Sequence, residues 1–159
     1  KLISMNVKKY TDLLGVNNEE VDFYYQRAWA TITRGNENIK PHIHKQSHIS
    51  FAYYLKKEKD DGNLNFHNNA SQNELAPSLF VSRKKHKGMG KITQDNAPMA
   101  TTHPLTDEII IFPSKTPHST SENKANSERM SISADISLVA KNSANVEHLL
   151  TPVEKWVKF

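Results

Sequence analysis

Met130-Ser131-Ile132-Ser133-Ala134-Asp135-Ile136-Ser137-Leu138-Val139 alternates apolar and polar residues almost to its end. That period of two belongs to a pleated strand, whose successive side chains point to opposite faces. Upstream, Glu108 to Phe112 is an apolar run broken by Pro113-Ser114. Ile49 to Lys56 predicts a strand carrying adjacent tyrosines, Tyr53 and Tyr54. Asn63 to Phe66 predicts a short strand entered through Asp60-Asp61-Gly62, a turn signal. Trp29 to Arg34 is rich in β-branched residues and stops at Gly35-Asn36, and Leu79 to Ser82 is a further candidate. Short strands at turn-punctuated spacing predict an antiparallel barrel or double-sheet jelly roll.

Helices are expected only at the flanks. Leu2, Ile3, Val7, Tyr10, Leu13 and Leu14 lie near helical spacing, with Gly15 placed as a C-cap. A second short helix is expected from Asn18, with Glu19 and Glu20 in its first turn. The chain has 159 residues, enough for one domain. The expected division is a helical part over 1–28, a barrel over about 29–139 and a tail over 140–159. The tail should hold a short helix around Val146 to Leu150 and an apolar end from Val153 to Phe159. Residues 83–106 are rich in Lys, Gly, Pro and Thr, show no period, and predict a long loop suited to a lid.

Composition narrows the chemistry. Lys plus Arg minus Asp plus Glu is 21 − 17 = +4, too small a charge to call for nucleic acid. The one basic run, Arg83-Lys84-Lys85-His86-Lys87, lacks interleaved aromatics and reads as a solvated loop. No cysteine is present, so disulfides, Cys-type zinc sites, iron–sulfur clusters and thiol catalysis are excluded. No apolar run approaches the roughly 18 residues that span a bilayer. A cytoplasmic protein is expected, in the host cytoplasm if the source is viral, and no membrane partner. The start at Lys1 rather than Met suggests a fragment of a longer chain.

Eight histidines are many for this length. His42 and His44 flank Ile43, and residues i and i+2 of an extended chain share a face. Two adjacent imidazoles repel if protonated but can share one cation as neutral ligands; exposed polar residues at a strand start are the plainer alternative. His118 follows the 109–112 run and offers a third ligand. Arg129 and Ser131 lie two apart on the alternating strand, where a guanidinium and a hydroxyl can clamp a carboxylate. Tyr54, at Ser50 + 4, shares a face with Ser50 and can donate a hydrogen bond. His48, at the even offset His44 + 4, can face the same site but is placed at the strand entrance; His67 is expected near the pocket rim, His86 lies in the basic run, and His103 and His148 have no evident partners.

Six pieces in order extend this pattern: Trp29-Ala30-Thr31, His42-Ile43-His44, Ser50 to Tyr54, Gly62-Asn63-Leu64-Asn65-Phe66, Phe112 to His118, and Glu128-Arg129-Met130-Ser131. Together they resemble the iron(II)- and 2-oxoglutarate-dependent oxygenase superfamily. The resemblance is closest to the small prolyl-hydroxylase-like oxygenases of marine bacteria and phages, and it covers about residues 29–137. It implies a double-stranded β-helix, a jelly-roll or cupin-like barrel that is mainly β with flanking helices. It implies Fe(II) held by His42, His44 and His118, and 2-oxoglutarate held by Arg129, Ser131 and Tyr54. The implied activity is that of a dioxygenase: oxidative decarboxylation of 2-oxoglutarate drives hydroxylation of a C–H bond, with molecular oxygen as co-reactant. The expected substrate is a small molecule or peptide, with an amino-acid side chain as the hydroxylated group.

Three departures stand out. The superfamily usually supplies two His and one carboxylate, whereas His44 stands where the carboxylate is expected. Either all three histidines bind, or a carboxylate such as Asp60 or Asp61 completes the set. Phe51 replaces a usual Gly and is expected to crowd the pocket. Asp107 occupies a position where a turn glycine is usual. Two other readings compete: a cupin-like three-histidine metalloenzyme without 2-oxoglutarate, and a non-catalytic binding module on the same barrel.

Overall fold

The structure is a computed structural model and describes residues 1–67, 99–125, 127–144 and 147–159. The candidate strand at Leu79 to Ser82, the basic run at 83–87 and most of the proposed lid lie outside these residues. Helix α1 spans Leu2–Leu13, and Gly15, at φ +80°, turns the chain out of it as a C-cap should.

Seven strands follow: β1 (Val21–Thr33), β2 (Ile49–Lys56), β3 (Leu64–His67), β4 (Met99–Thr102), β5 (Ile109–Pro113), β6 (His118–Thr120) and β7 (Arg129–Ala140). They form a four-stranded sheet ordered β1-β7-β2-β5 and a three-stranded sheet ordered β4-β3-β6. Every described pairing between these strands is antiparallel. The mainly β, double-sheet architecture expected from the strand pattern is present.

The N-terminal boundary differs from the expectation. No second helix starts at Asn18; residues 17–20 turn, with Glu20 N–H bonding to the Asn17 carbonyl, and β1 begins at Val21 rather than Trp29. The helical part therefore ends well before residue 28. Pairing decides this, because β1 is matched to β7 from Val21↔Ala140 to Thr33↔Arg129, and tertiary partners override local preference. In the tail, residues 147–149 are not helical, Leu150 bridges to Val139, and a single 3₁₀ turn covers Val153–Lys155.

The faces of β7 divide the molecule. Ala134, Ile136 and Leu138 join Val21, Ile49, Phe51 and Val7 of α1 in one core, with Ile3, Tyr10, Ile109 and Ile111 packed against it. The opposite face carries Arg129, Ser131, Ser133 and Asp135. Register carries that face across the sheet: Ser131 opposes Thr31 and Tyr54, Ser133 opposes Trp29 and Ala52, and Asp135 opposes Arg27 and Ser50. An extra residue in β1, Gln26, is what turns Arg27 rather than its neighbour toward Asp135. The apolar face is covered by the helix, and the polar face is turned toward the second sheet.

Candidate active site

Between the sheets lies a cavity of about 110 Å³. Its walls include Trp29, His42, His44, Tyr54, Leu64, Phe112, His118, Arg129 and Ser131. Every residue assigned to iron or 2-oxoglutarate by sequence thus borders one space. Phe51 also borders it, but its side chain belongs to the apolar core beside Val7 and Ala134.

The three histidines come from two segments, His42 and His44 from the stretch before β2 and His118 from the start of β6, and are locked by main-chain bonds. His42 and His118 form an antiparallel bridge, each N–H donating to the other's carbonyl at 3.0 Å. His44 N–H donates to the Ser114 carbonyl at 2.9 Å. The ligand-capable atoms of the three side chains all lie within 4.8 Å of one another. Ring centroids are 4.3 Å apart for His42 and His118, 5.1 Å for His42 and His44, and 5.0 Å for His44 and His118.

Their hydrogen bonds set the tautomers. His42 Nδ1 is 2.8 Å from the Lys40 carbonyl, and His118 Nδ1 is 2.8 Å from the Thr116 carbonyl. A carbonyl only accepts, so each Nδ1 carries a proton, and in the neutral ring Nε2 keeps a free lone pair. His44 Nδ1 lies 2.5 Å from Asp135 Oδ1, with the same consequence. Burial pushes the His118 imidazole down to about 4, and the neighbouring His42 and His44 add to this against the Thr116 bond. Imidazoles gathered with their ligand-capable nitrogens this close together are the donors a divalent transition metal takes.

No carboxylate joins this group among the described residues. Asp61 is fully buried but engaged elsewhere: Oδ1 lies 2.8 Å from the Lys57 ammonium and Oδ2 accepts from the Glu58 N–H at 2.7 Å. Asp60 is exposed. The alternative in which either carboxylate replaces His44 has no support in this geometry.

Arg129 occupies the other end of the interior. It is 2% exposed, and Nη1 donates to the Asp61 carbonyl at 3.1 Å while Nη2 donates to Thr33 Oγ1 at 2.9 Å and Thr120 Oγ1 at 3.2 Å. Among the described residues no carboxylate oxygen lies within 4.0 Å of it. Burial pulls its pKa down, opposed by Tyr54 and Asp61. A buried, uncompensated guanidinium with donors to spare is costly unless an anion arrives to share them. Tyr54 is pushed up to about 12 by burial, which outweighs the lowering effect of Arg129, so its hydroxyl stays protonated.

Gly62 makes room for that guanidinium. At φ +92°, a Cβ there would stand 2.7 Å from Arg129 Nη1 and would collide with the Ser121 carbonyl. Asp107 takes φ +67°, the conformation a turn glycine would supply, and accepts a hydrogen bond from Tyr53 at 2.9 Å.

The other histidines lie apart. His48 Nδ1 accepts from the Leu138 N–H at 3.0 Å, His67 Nε2 bonds with Ser119 Oγ at 2.8 Å, and His103 and His148 are exposed. His86 lies outside the described residues. Sequence reading missed Asp135, although its even offset from Arg129 put it on the site face.

A family model described as "Putative 2OG-Fe(II) oxygenase" matches residues 27–135. The chain belongs to this family of 2-oxoglutarate- and iron(II)-dependent oxygenases, and His42, His44 and His118 are placed so that they could hold the iron. No curated protein matches the sequence.

Solved structures share the fold. A 2OG-Fe(II) oxygenase family oxidoreductase from Burkholderia pseudomallei is 14% identical with TM-score 0.56, covering 80% of this chain and 49% of its own. EvdO2 from Micromonospora carbonacea var. aurantiaca, complexed with 2-oxoglutarate, is 15% identical with TM-score 0.50, covering 80% and 56%. SnoN, a non-heme alpha ketoglutarate dependent epimerase from nogalamycin biosynthesis, is 12% identical with TM-score 0.50, covering 78% and 52%. The chain thus spans about half the length of these structures, and the shared fold is the double-stranded β-helix. Among the described residues no helix is long and apolar enough to cross a membrane.

Proposed function

We propose that this chain is a dioxygenase that hydroxylates a C–H bond of an amino-acid side chain, free or in a peptide, at an iron(II) held by His42, His44 and His118. One observation carries the reading: three free Nε2 lone pairs and a buried cation without a carboxylate partner border the same cavity. These are the donors that iron(II) and a dicarboxylate cosubstrate need. When bound, iron and 2-oxoglutarate together with oxygen supply the oxidising power, and the cosubstrate leaves as succinate and carbon dioxide.

The chain's residues do the positioning. Arg129 binds the distal carboxylate of 2-oxoglutarate, with Ser131 and the protonated Tyr54 hydroxyl as further donors. Leu64, Phe66 and Phe112 keep the interior apolar; the Phe112 ring lies 4.8 Å from His118 and 5.1 Å from Phe66. His42, exposed at the mouth, and half-buried Trp29 border the side from which a substrate enters. So narrow a cavity suits a single side chain reaching in from a larger molecule. The resemblance to prolyl-hydroxylase-like oxygenases supports the same substrate class.

The test is calorimetric. Anaerobic titration of 2-oxoglutarate into the iron(II)-loaded protein should show binding. Arg129→Ala should weaken it by about 3 kcal/mol, roughly a hundredfold, because a buried charge partner is lost. Iron affinity should be unchanged. Iron binding without any affinity for 2-oxoglutarate would favour the cupin-like metalloenzyme, and absence of iron binding would favour a non-catalytic module.

A further inference from the structure

The three histidines are not equivalent. His42 and His118 donate their Nδ1 protons to neutral main-chain carbonyls, but His44 donates its proton to a carboxylate, Asp135, at 2.5 Å. Asp135 is 1% exposed and is held on several sides. Ser50 donates to the same Oδ1 at 2.6 Å and is itself 2.8 Å from Ser114 Oγ. Arg27 Nε approaches the other oxygen at 2.5 Å, and its guanidinium stacks 4.8 Å over the Trp29 ring. Trp29 in turn meets His44 edge-on, with centroids 5.6 Å apart. Ser50, Arg27 and His44 thus all aim donors at the two oxygens of this one carboxylate.

We infer that Asp135 is a positioning residue that makes His44 the strongest donor of the three ligands, returning through a hydrogen bond the negative charge that a directly bound carboxylate would supply. This rests on the three-histidine reading above. A ligand set of neutral imidazoles leaves the dication without an anionic protein ligand. A carboxylate behind one imidazole raises that ring's basicity and fixes its Nε2 toward the metal. Cross-strand register puts it there, since Asp135 on β7 lies directly opposite Ser50 on β2 and Arg27 on β1.

Cobalt(II) is the probe, because its visible spectrum reports ligand field as well as affinity. Asp135→Asn keeps a hydrogen-bond acceptor and removes the charge. It should weaken cobalt(II) binding roughly 10- to 100-fold and change the visible spectrum, and Asp135→Glu should restore part of the affinity. Asp135→Asn binding cobalt with wild-type affinity and spectrum would overturn the inference while leaving the histidine reading intact. Wild-type protein that binds no cobalt at all, or His44→Ala that binds it equally well, would overturn both. A second measurement needs no variant. In zinc(II)-loaded wild-type protein, the His44 Nδ1 proton should resonate furthest downfield of the three ligand histidines. Three equivalent Nδ1 protons would count against the inference even if the Asn variant failed to fold.

Discussion

At the scale of single residues, the Arg129 end of the cavity depends on a position with no side chain. Gly62 has φ +92°, and a Cβ there would press on Arg129 Nη1 and the Ser121 carbonyl. Neither neighbour yields readily, because the carbonyl is main chain and the guanidinium is held by Asp61, Thr33 and Thr120. Gly62→Ala should therefore cost about 3 kcal/mol of stability from the left-handed backbone and the clash together. Thermal melting reads that loss. Calorimetry on the same variant should show weakened 2-oxoglutarate binding, because Arg129 must shift; unchanged affinity would separate Gly62 from the clamp. The histidines and Arg129 were legible in sequence because their spacing repeats a known order of motifs. The role of Asp135 was not, because a carboxylate among Ser131, Ser133 and Ser137 has no local mark of its partner 91 residues away in His44.

At the scale of elements, β7 serves two purposes on its two faces. Ile136, on the helix side, is 3% exposed in the core with Val7 and Ile49. Asp135, one residue earlier, faces His44. Ile136→Ala should destabilise the fold by about 3 kcal/mol through a cavity under α1. It should leave metal affinity at its wild-type value, since the change lies on the opposite face. Chemical denaturation measures the first and metal titration the second; a parallel loss of metal affinity would mean that the two faces are not independent. The alternation of residues 130–139 predicted the strand itself correctly. It could not say which face would meet water: here helix α1 covers the apolar side, and the serines and Asp135 line the interior. The start of β1 was also hidden, because Tyr24, Tyr25 and other residues of this edge strand are exposed and give no period.

At the scale of the whole molecule, the site exists only in the folded chain. His42 and His44 precede β2, while His118 opens β6, and the bridge between His42 and His118 forms only when the second sheet docks. A metal ion that needs all three therefore binds the native state in preference to the unfolded one. At a free metal concentration one hundred times Kd, binding should add about 2.7 kcal/mol. That corresponds to a rise in Tm of roughly 5–10 °C for a domain of this size. Differential scanning calorimetry with and without iron(II) or cobalt(II), and with a chelator to reverse the effect, measures it. An unchanged Tm at saturating metal would show that the histidines do not act together.

The sequence by itself determined the β architecture, and it singled out three histidines and the Arg129–Ser131 pair that border one cavity, because each is written in local spacing or in motif order. Tertiary structure alone decided that β1 starts at Val21, that the polar face of β7 turns inward, and that Asp61 serves Lys57. It also decided that Asp135 stands behind His44. Three of these depend on a partner across a sheet or between sheets, which only register and packing choose; the Lys57–Asp61 pair is set by the turn that follows β2, four residues apart in sequence.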